Sequence, residues 1–215
     1  MVGMGVLLEC LDHPSVDQVL TIGRSRVDLE HAKLRQIEHA DFSNFAPIAD
    51  QLTGYDAAYL CMGVSSAGMD EADYTRITYE YTLSLARVLV DKNAGITCTY
   101  VSGQGTDGSE SSRSMWPRVK GRTENALLKL GFKQAYMFRP GVIIPLRGIT
   151  SRTKMYQFFY DYFMWLIRLI KAVSPNSVVN TTQLGLAMIN VTRFGYDRNI
   201  IDPRDIILLA KAESN

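Results

Sequence analysis

Ser102, Trp116 and Lys120 stand close together in a chain otherwise poor in chemical signals. Ser102 ends the run Thr-Cys-Thr-Tyr-Val-Ser, which begins at Thr97 and is stopped by Gly103. A short β-branched and aromatic run closed by glycine is the signature of a buried strand. Pro117 then suits the first turn of a helix. Val119, Thr123, Ala126, Leu127 and Leu130 follow it at helical spacing. Ser102 is therefore expected at a strand end, with Trp116 and Lys120 one turn apart on one face of the next helix. The indole N–H of Trp116 donates only, so it is neither acid nor base near neutral pH. A plainer reading makes Lys120 and Glu124 a surface pair four residues apart.

This arrangement resembles the short-chain dehydrogenase/reductase superfamily. Members carry a Ser after the fifth strand and a Tyr-x-x-x-Lys on the following helix. The Tyr exchanges the proton, the Lys lowers its pKa and holds the nicotinamide ribose, and the Ser orients the substrate oxygen. Ser102 and Lys120 match that pattern, and Trp116 occupies the Tyr position. Thr78 stands where many relatives carry an Asn that holds a structural water, a second departure. The phrases Val-Lys-Gly-x-x-Glu (Val119 to Glu124) and Phe-Arg-Pro-Gly-Val (Phe138 to Val142) bring the chain nearest the atypical branch. That branch includes the Tat-interacting oxidoreductase-like proteins and bacterial epimerase- or dehydratase-like proteins. The resemblance runs from Gly3 to about Ala210. It implies an α/β fold: a Rossmann-like, doubly wound parallel sheet with a small C-terminal substrate segment. The expected division is 1–145 for the nucleotide-binding domain and 146–215 for the substrate or interface segment.

The elements that must position these residues can be followed along the chain. Met1 to Leu11 reads as a glycine turn running into a helix with no strand before it. By the resemblance, Gly3 is the third glycine of the dinucleotide fingerprint, the one that lets helix and strand pack closely. The first strand is then missing, and the expectation is a start annotated at an internal Met. A central parallel strand is buried on both faces. Losing about five apolar side chains at ~1.5–3 kcal/mol each forfeits on the order of 10 kcal/mol, comparable with a whole domain's ~5–15 kcal/mol.

Val19 to Ile22 reads as the next strand, ending in Gly23-Arg24-Ser25. An acidic residue at such a place binds the ribose of NAD, whereas an Arg accommodates the 2′-phosphate of NADP. A charge-assisted bond of ~1.5–3 kcal/mol makes NADPH the preferred cofactor by about ten- to a hundredfold. NAD is the less favoured alternative, and a merely solvated Arg24 is the plain one. Leu34 to Ala40 reads as a third strand closed by Asp41-Phe42, which the resemblance sets beside the adenine. Asp41 is also a good helix cap. Asp56 to Gly63 reads as a strand whose terminal glycine lets the cofactor approach the backbone closely. Asp70 to Lys92 reads as a long amphipathic helix.

Gly103 to Arg113 is polar and rich in Ser and Gly, and is expected to be a mobile, lid-like loop. The strand Ala135 to Ile144 carries the exit Arg139-Pro140-Gly141-Val142, whose backbone lies beside the nicotinamide in the branch resembled. Lys154 to Val173 is apolar all round, which suits a pocket wall and a homodimer contact better than a membrane surface. Thr181 or Thr182 is expected to cap a helix to Val191. Asn199 to Ile207 reads as a short closing strand.

Composition narrows the class. The chain has 215 residues, 47% hydrophobic, enough for one domain with a full core. Its 23 basic and 22 acidic residues leave a net charge of +1 and no nucleic-acid footprint. Cys10, Cys61 and Cys98 sit in apolar runs and read as buried thiols of a reducing compartment. With no visible signal peptide, the expectation is a cytoplasmic protein. His13, His31 and His39 lack metal spacing, so no metal is expected.

Two functions compete. The first is an NADP-dependent oxidoreductase or epimerase-like enzyme acting on a small molecule, with Ser102 and Lys120 placing substrate and nicotinamide. The proton then comes from another group. Tyr100 lies deep in its strand, and the Tyr residues between 156 and 162 are freer. The second is a catalytically impaired NADPH-binding regulator that signals through a protein partner.

Overall fold

The computed structural model describes residues 1–148 and 178–212 of the chain. Helix α1 (Val2–Asp12) leads into strand β1 (Val19–Gly23), followed by β2 (Leu34–Glu38), a 3-10 helix (Ala46–Leu52) and β3 (Ala57–Leu60). Next come α2 (Glu71–Thr75), a π-helical turn (Arg76–Glu80), α3 (Tyr81–Lys92), β4 (Thr97–Val101) and α4 (Met115–Leu128). The chain continues with β5 (Gln134–Phe138), β6 (Val142–Ile144), β7 (Val178–Asn180), α5 (Thr181–Phe194), β8 (Ile200–Ile201) and α6 (Pro203–Leu209). Every strand pair among these is parallel, in the order β3-β4-β5-β8, with β1-β2 and β6-β7 as separate pairs.

Alternation along the central strands explains the layers. Cys98, Tyr100 and Met137 point to one face, where Leu85, Ala86 and Leu89 of α3 and Leu127 of α4 cover them. Val101, Tyr136 and Phe138 point to the other, covered by Val6 and Cys10 of α1 and Leu184 and Met188 of α5. Strands wrapped on both sides read as continuous apolar runs, and all five residues of β4 are buried. The result is the expected Rossmann-like α/β sandwich.

The helix pair α1–α5 is close enough to demand glycine. A β-carbon on Gly5 would press on the Thr181 side chain at 2.6 Å, and one on Gly185 on the Glu9 side chain at 2.7 Å. Glu9 also accepts a hydrogen bond from Thr182 Oγ1 at 2.8 Å and pairs with Arg147.

The sheet is interrupted between β1 and β3. The two strands do not pair, and a cleft of about 950 Å3 opens between them, walled by both strands and by α1. The five residues of β1 are half-buried, in contrast to β4.

Several local expectations are corrected. The N-terminus is helical from Val2 rather than a glycine turn. The helix at 181 is capped by Asn180, whose side chain accepts from the Gln183 amide at 2.7 Å, while Gln183 answers with a bond from the Asn180 amide. Thr181 instead accepts from the Leu146 amide at 3.0 Å. The closing segment is a two-residue strand, and Asp205-Ile206 lies in α6, where Asp205 binds Arg198 and Tyr196. The apolar stretch Lys154 to Val173, with its dimer and pocket-wall roles and its tyrosines, lies outside the described residues.

Candidate functional site

The strands bring Ser102, Trp116, Lys120 and Gly63 together at their carboxyl ends. Lys120 sits on the buried side of α4, 7% exposed. Its ammonium donates to the Val101 carbonyl at 3.1 Å and lies 4.7 Å from the centre of the Tyr100 ring. A β-carbon on Gly63, just past β3, would stand 3.8 Å from that ammonium. The lysine therefore spans the ends of β3 and β4, the crevice where α/β sheets bind ligands. Burial pushes its pKa down to about 8, partly opposed by Glu124 and Cys61.

The surface pairing of Lys120 with Glu124 does not occur. Glu124 is itself buried and is clamped by Arg139 through two bonds, Nε to Oε1 at 3.0 Å and Nη2 to Oε2 at 2.5 Å. A two-pronged guanidinium–carboxylate contact is among the strong ones. It ties the Arg139-Pro140-Gly141 turn to α4, and the Pro140 carbonyl accepts from the Gln104 amide at 2.9 Å.

Ser102 follows β4 directly, and its amide donates to the Phe138 carbonyl at 2.8 Å. Its hydroxyl lies 2.7 Å from that of Thr106, and Thr106 donates to the Gly103 carbonyl at 2.8 Å. Thr106 has one proton to give, so Ser102 is the donor in this pair. The Ser102 oxygen is then left with acceptor capacity toward anything beside it.

Trp116 lies in the first turn of α4 with its ring over the Gly103–Gly105 loop. β-Carbons on Gly103 and Gly105 would come within 3.8 and 3.4 Å of that ring. Tyr100 is wholly buried beside the Lys120 ammonium, and burial pushes its pKa far up. It does not serve as a proton donor at neutral pH. Thr78 is buried in the π-helical turn.

The loop expected to be a mobile lid is instead laced to itself and to α4. The Asp107 carboxylate accepts from the amides of Ser109, Ser111 and Ser112 at 2.9, 2.9 and 2.6 Å. The Ser109 hydroxyl also donates to it at 2.6 Å, and this bond first, then the amides, pulls its pKa below the usual carboxylate range. Asn125 donates to the Gly108 carbonyl and to Glu110.

The remaining predicted residues lie at the ends of other elements. Gly3, in the first turn of α1, would carry a β-carbon 3.4 Å from that of Cys61, just past β3. Arg24 and Ser25 are exposed beyond β1. Asp41 is exposed beyond β2 and accepts from the Ser43 amide at 2.9 Å. It does not cap the following 3-10 helix, whose N-cap is Phe45. Phe42 packs edge-on against Phe45. Val142 opens β6. The residues that sequence reasoning missed are Thr106, Gly121 and the Arg139–Glu124 clamp. Thr106 stands four residues beyond Ser102 in a stretch that reads only as polar loop.

Among the described residues no group of His, Cys, Asp and Glu could hold a metal ion, and no helix is long and apolar enough to cross a membrane. Cys10, Cys61 and Cys98 are free thiols, with Cys10 and Cys98 buried.

Comparison with known proteins supports the fold and corrects the location. No protein-family model matches the chain. Its sequence is 28% identical over 131 residues to Protein FMP52-2, mitochondrial, of Scheffersomyces stipitis, covering 60% of this chain and 56% of that protein. It is 26% identical over 145 residues to Protein HTATIP2 of Rattus norvegicus, covering 66% and 58%. The chain thus spans little more than half the length of these two relatives. The Helicobacter pylori ADP-L-glycero-D-manno-heptose-6-epimerase has the same fold, with a TM-score of 0.65 at 13% identity, over 98% of this chain and 77% of its own. The Bordetella bronchiseptica enzyme WbmF in complex with NAD+ also gives 0.65 at 13% identity, over 96% and 73%. The Rossmann-like fold is thus shared with these two structures. The FMP52 relatives are named mitochondrial, which overturns the cytoplasmic expectation. Reduced thiols report redox poise and do not tell one reducing compartment from another.

Proposed function

We propose, from the Rossmann fold of the short-chain dehydrogenase and epimerase type, that this chain binds a nicotinamide dinucleotide, NADPH in preference to NADH. In this reading it acts on a small hydroxyl- or carbonyl-bearing substrate as an oxidoreductase or epimerase-like enzyme. The observation that carries the reading is the buried Lys120 ammonium bridging the ends of β3 and β4 beside Gly63. A desolvated cation is expensive to keep there unless a polar ligand uses it.

The residues fit such a ligand at both of its ends. Lys120, Gly63 and the Arg139-Pro140-Gly141-Val142 turn suit a nicotinamide ribose. Arg24 and Ser25 suit a 2′-phosphate, and Asp41 and Phe42 an adenine. The N-terminus of α1 with Gly3 offers amides and a positive dipole end to the pyrophosphate. When bound, the dinucleotide supplies hydride exchange.

Lys120, with a pKa near 8, can hold or release a proton at neutral pH. It takes the acid–base role that Trp116 cannot fill. Ser102, donating to Thr106, accepts from a substrate hydroxyl. Trp116 walls the pocket with an apolar face. The division into a nucleotide-binding part, 1–145, and a C-terminal part, 146–215, which covers the substrate and makes any homodimer contact through 154–173, belongs to the same proposal.

The second reading, an impaired NADPH-binding regulator acting through a protein partner, is favoured by Trp116 and Thr78 at two positions of the catalytic pattern. Steady-state assay of NADPH-dependent reduction of small aldehydes and ketones separates the two. Turnover abolished by Lys120→Met supports the enzyme. NADPH binding without turnover supports the regulator.

A further inference from the structure

We infer that Arg139 is a positioning residue for Lys120: by clamping Glu124 it keeps that carboxylate off the lysine ammonium, which stays free to exchange a proton with a ligand. The inference rests on the acid–base role proposed for Lys120.

The competition for Glu124 begins within α4. Side chains four residues apart on a helix are neighbours, and opposite charges at that spacing attract. Lys120 and Glu124 have that spacing and are both buried. A direct pair in so dry a place would be strong, and it would hold the proton on the lysine. Arg139, just beyond β5, takes the carboxylate instead. Its guanidinium engages both oxygens of Glu124 at once, Nε with Oε1 and Nη2 with Oε2. An ammonium is a point charge and offers no such fork. Arg139 is itself fixed from outside α4, since its amide donates to the Ile201 carbonyl at 2.8 Å. Glu124 first, then Asp202 and Asp107, keep its guanidinium charged.

Lys120 is left with neutral company. Its ammonium donates to the Val101 carbonyl and faces the Tyr100 ring of β4. Past β3 it also feels the Cys61 thiol. Burial pushes the pKa values of Tyr100 and Cys61 up, so both stay neutral near pH 7. Glu124 is therefore the nearby anion able to fix the lysine proton, and its two oxygens are already engaged. Desolvation then outweighs the residual pull of Glu124, and the lysine pKa falls to about 8.

The test is an NMR titration of the chain labelled with 13C-lysine, the Lys120 Cε signal being assigned by its loss in Lys120→Met. Arg139→Gln removes the guanidinium and frees Glu124 to turn to Lys120. The expected result is a rise of about one to two pH units in the Lys120 midpoint. Added to Glu124→Gln, the same Arg139→Gln change should give no rise, because no carboxylate remains to be released. An unchanged midpoint in the single variant overturns the inference. So does an equal rise in both backgrounds, which would make Arg139 a cation that repels Lys120 directly. If Arg139→Gln does not fold, Arg139→Lys decides, since it keeps the charge and loses the two-pronged hold. A rise there supports the clamp, and an unchanged midpoint overturns it. The titration needs neither cofactor nor substrate. A chain that titrates as expected and turns over no NADPH therefore supports the clamp while the acid–base reading falls.

Discussion

The backbone of Asp107 lies directly on Gly121: a β-carbon at Gly121 would overlap the Asp107 carbonyl group. The glycine next to Lys120 is therefore what lets the loop after Ser102 close down on α4. The Asp107 amide completes the contact by donating to the Pro117 carbonyl at 3.1 Å. The clashing atoms are backbone and cannot swing away. Gly121→Ala should cost about 1–3 kcal/mol, the range for forced overpacking, and should release the loop. Urea unfolding measures the first, and amide exchange over residues 107–112 the second.

Lys120 makes stability depend on pH in a stated direction. Its folded pKa, about 8, lies below the ordinary lysine value of 10.5. Between those two pH values the unfolded chain binds more protons than the folded one, so stability rises as pH rises through that window. The shift corresponds to roughly 3 kcal/mol. Lys120→Met removes this dependence. The Cys10 thiol, pushed up to about 12 by burial, acts in the opposite direction and cancels in the comparison, while the Cys61 thiol, also pushed up to about 12, is coupled to Lys120 and leaves a smaller residual. Unfolding free energies of the two proteins at pH 7 and pH 10 should therefore diverge by roughly 2–3 kcal/mol, in favour of the wild type as pH rises.

Trp116 stands one helical turn before Lys120, with its indole over the Gly103–Gly105 loop. Trp116→Tyr puts a hydroxyl acid at that place. General acid catalysis is worth ~10²–10⁴ in rate, so NADPH oxidation with simple aldehydes should rise by about a hundredfold. An unchanged rate in a variant that still binds NADPH would favour the regulator reading.

Arg24 is exposed just beyond β1, so its removal should leave the fold intact. Arg24→Ala should weaken NADPH binding by about ten- to a hundredfold and leave NADH binding unchanged. Equal loss for both cofactors would separate Arg24 from the 2′-phosphate.

Much of the fold was legible because its strands are short, apolar and punctuated by glycine. Val19–Gly23, Thr97–Val101 and the helix carrying Lys120 all emerge where periodicity puts them. Caps were less legible. Asn180 outcompetes Thr181 because Gln183 completes a reciprocal pair, a tie that depends on where the helix starts. The burial of Glu124 was invisible, since its partner Arg139 arrives from a neighbouring strand end. The ordering of the 103–114 loop was equally hidden. Polar, glycine-rich sequence reads as slack, yet Asp107 gathers three of its amides and Gly121 gives it a seat. The split of the sheet between β1 and β3 has no signal in the strands themselves, which read alike in sequence.

The most direct measurement is calorimetric titration of the chain with NADPH and with NADH. The account predicts saturable binding of one NADPH, ten- to a hundredfold tighter than NADH, and loss of that preference in Arg24→Ala. Absence of NADPH binding by a chain whose amide exchange shows it folded would contradict the cofactor assignment itself.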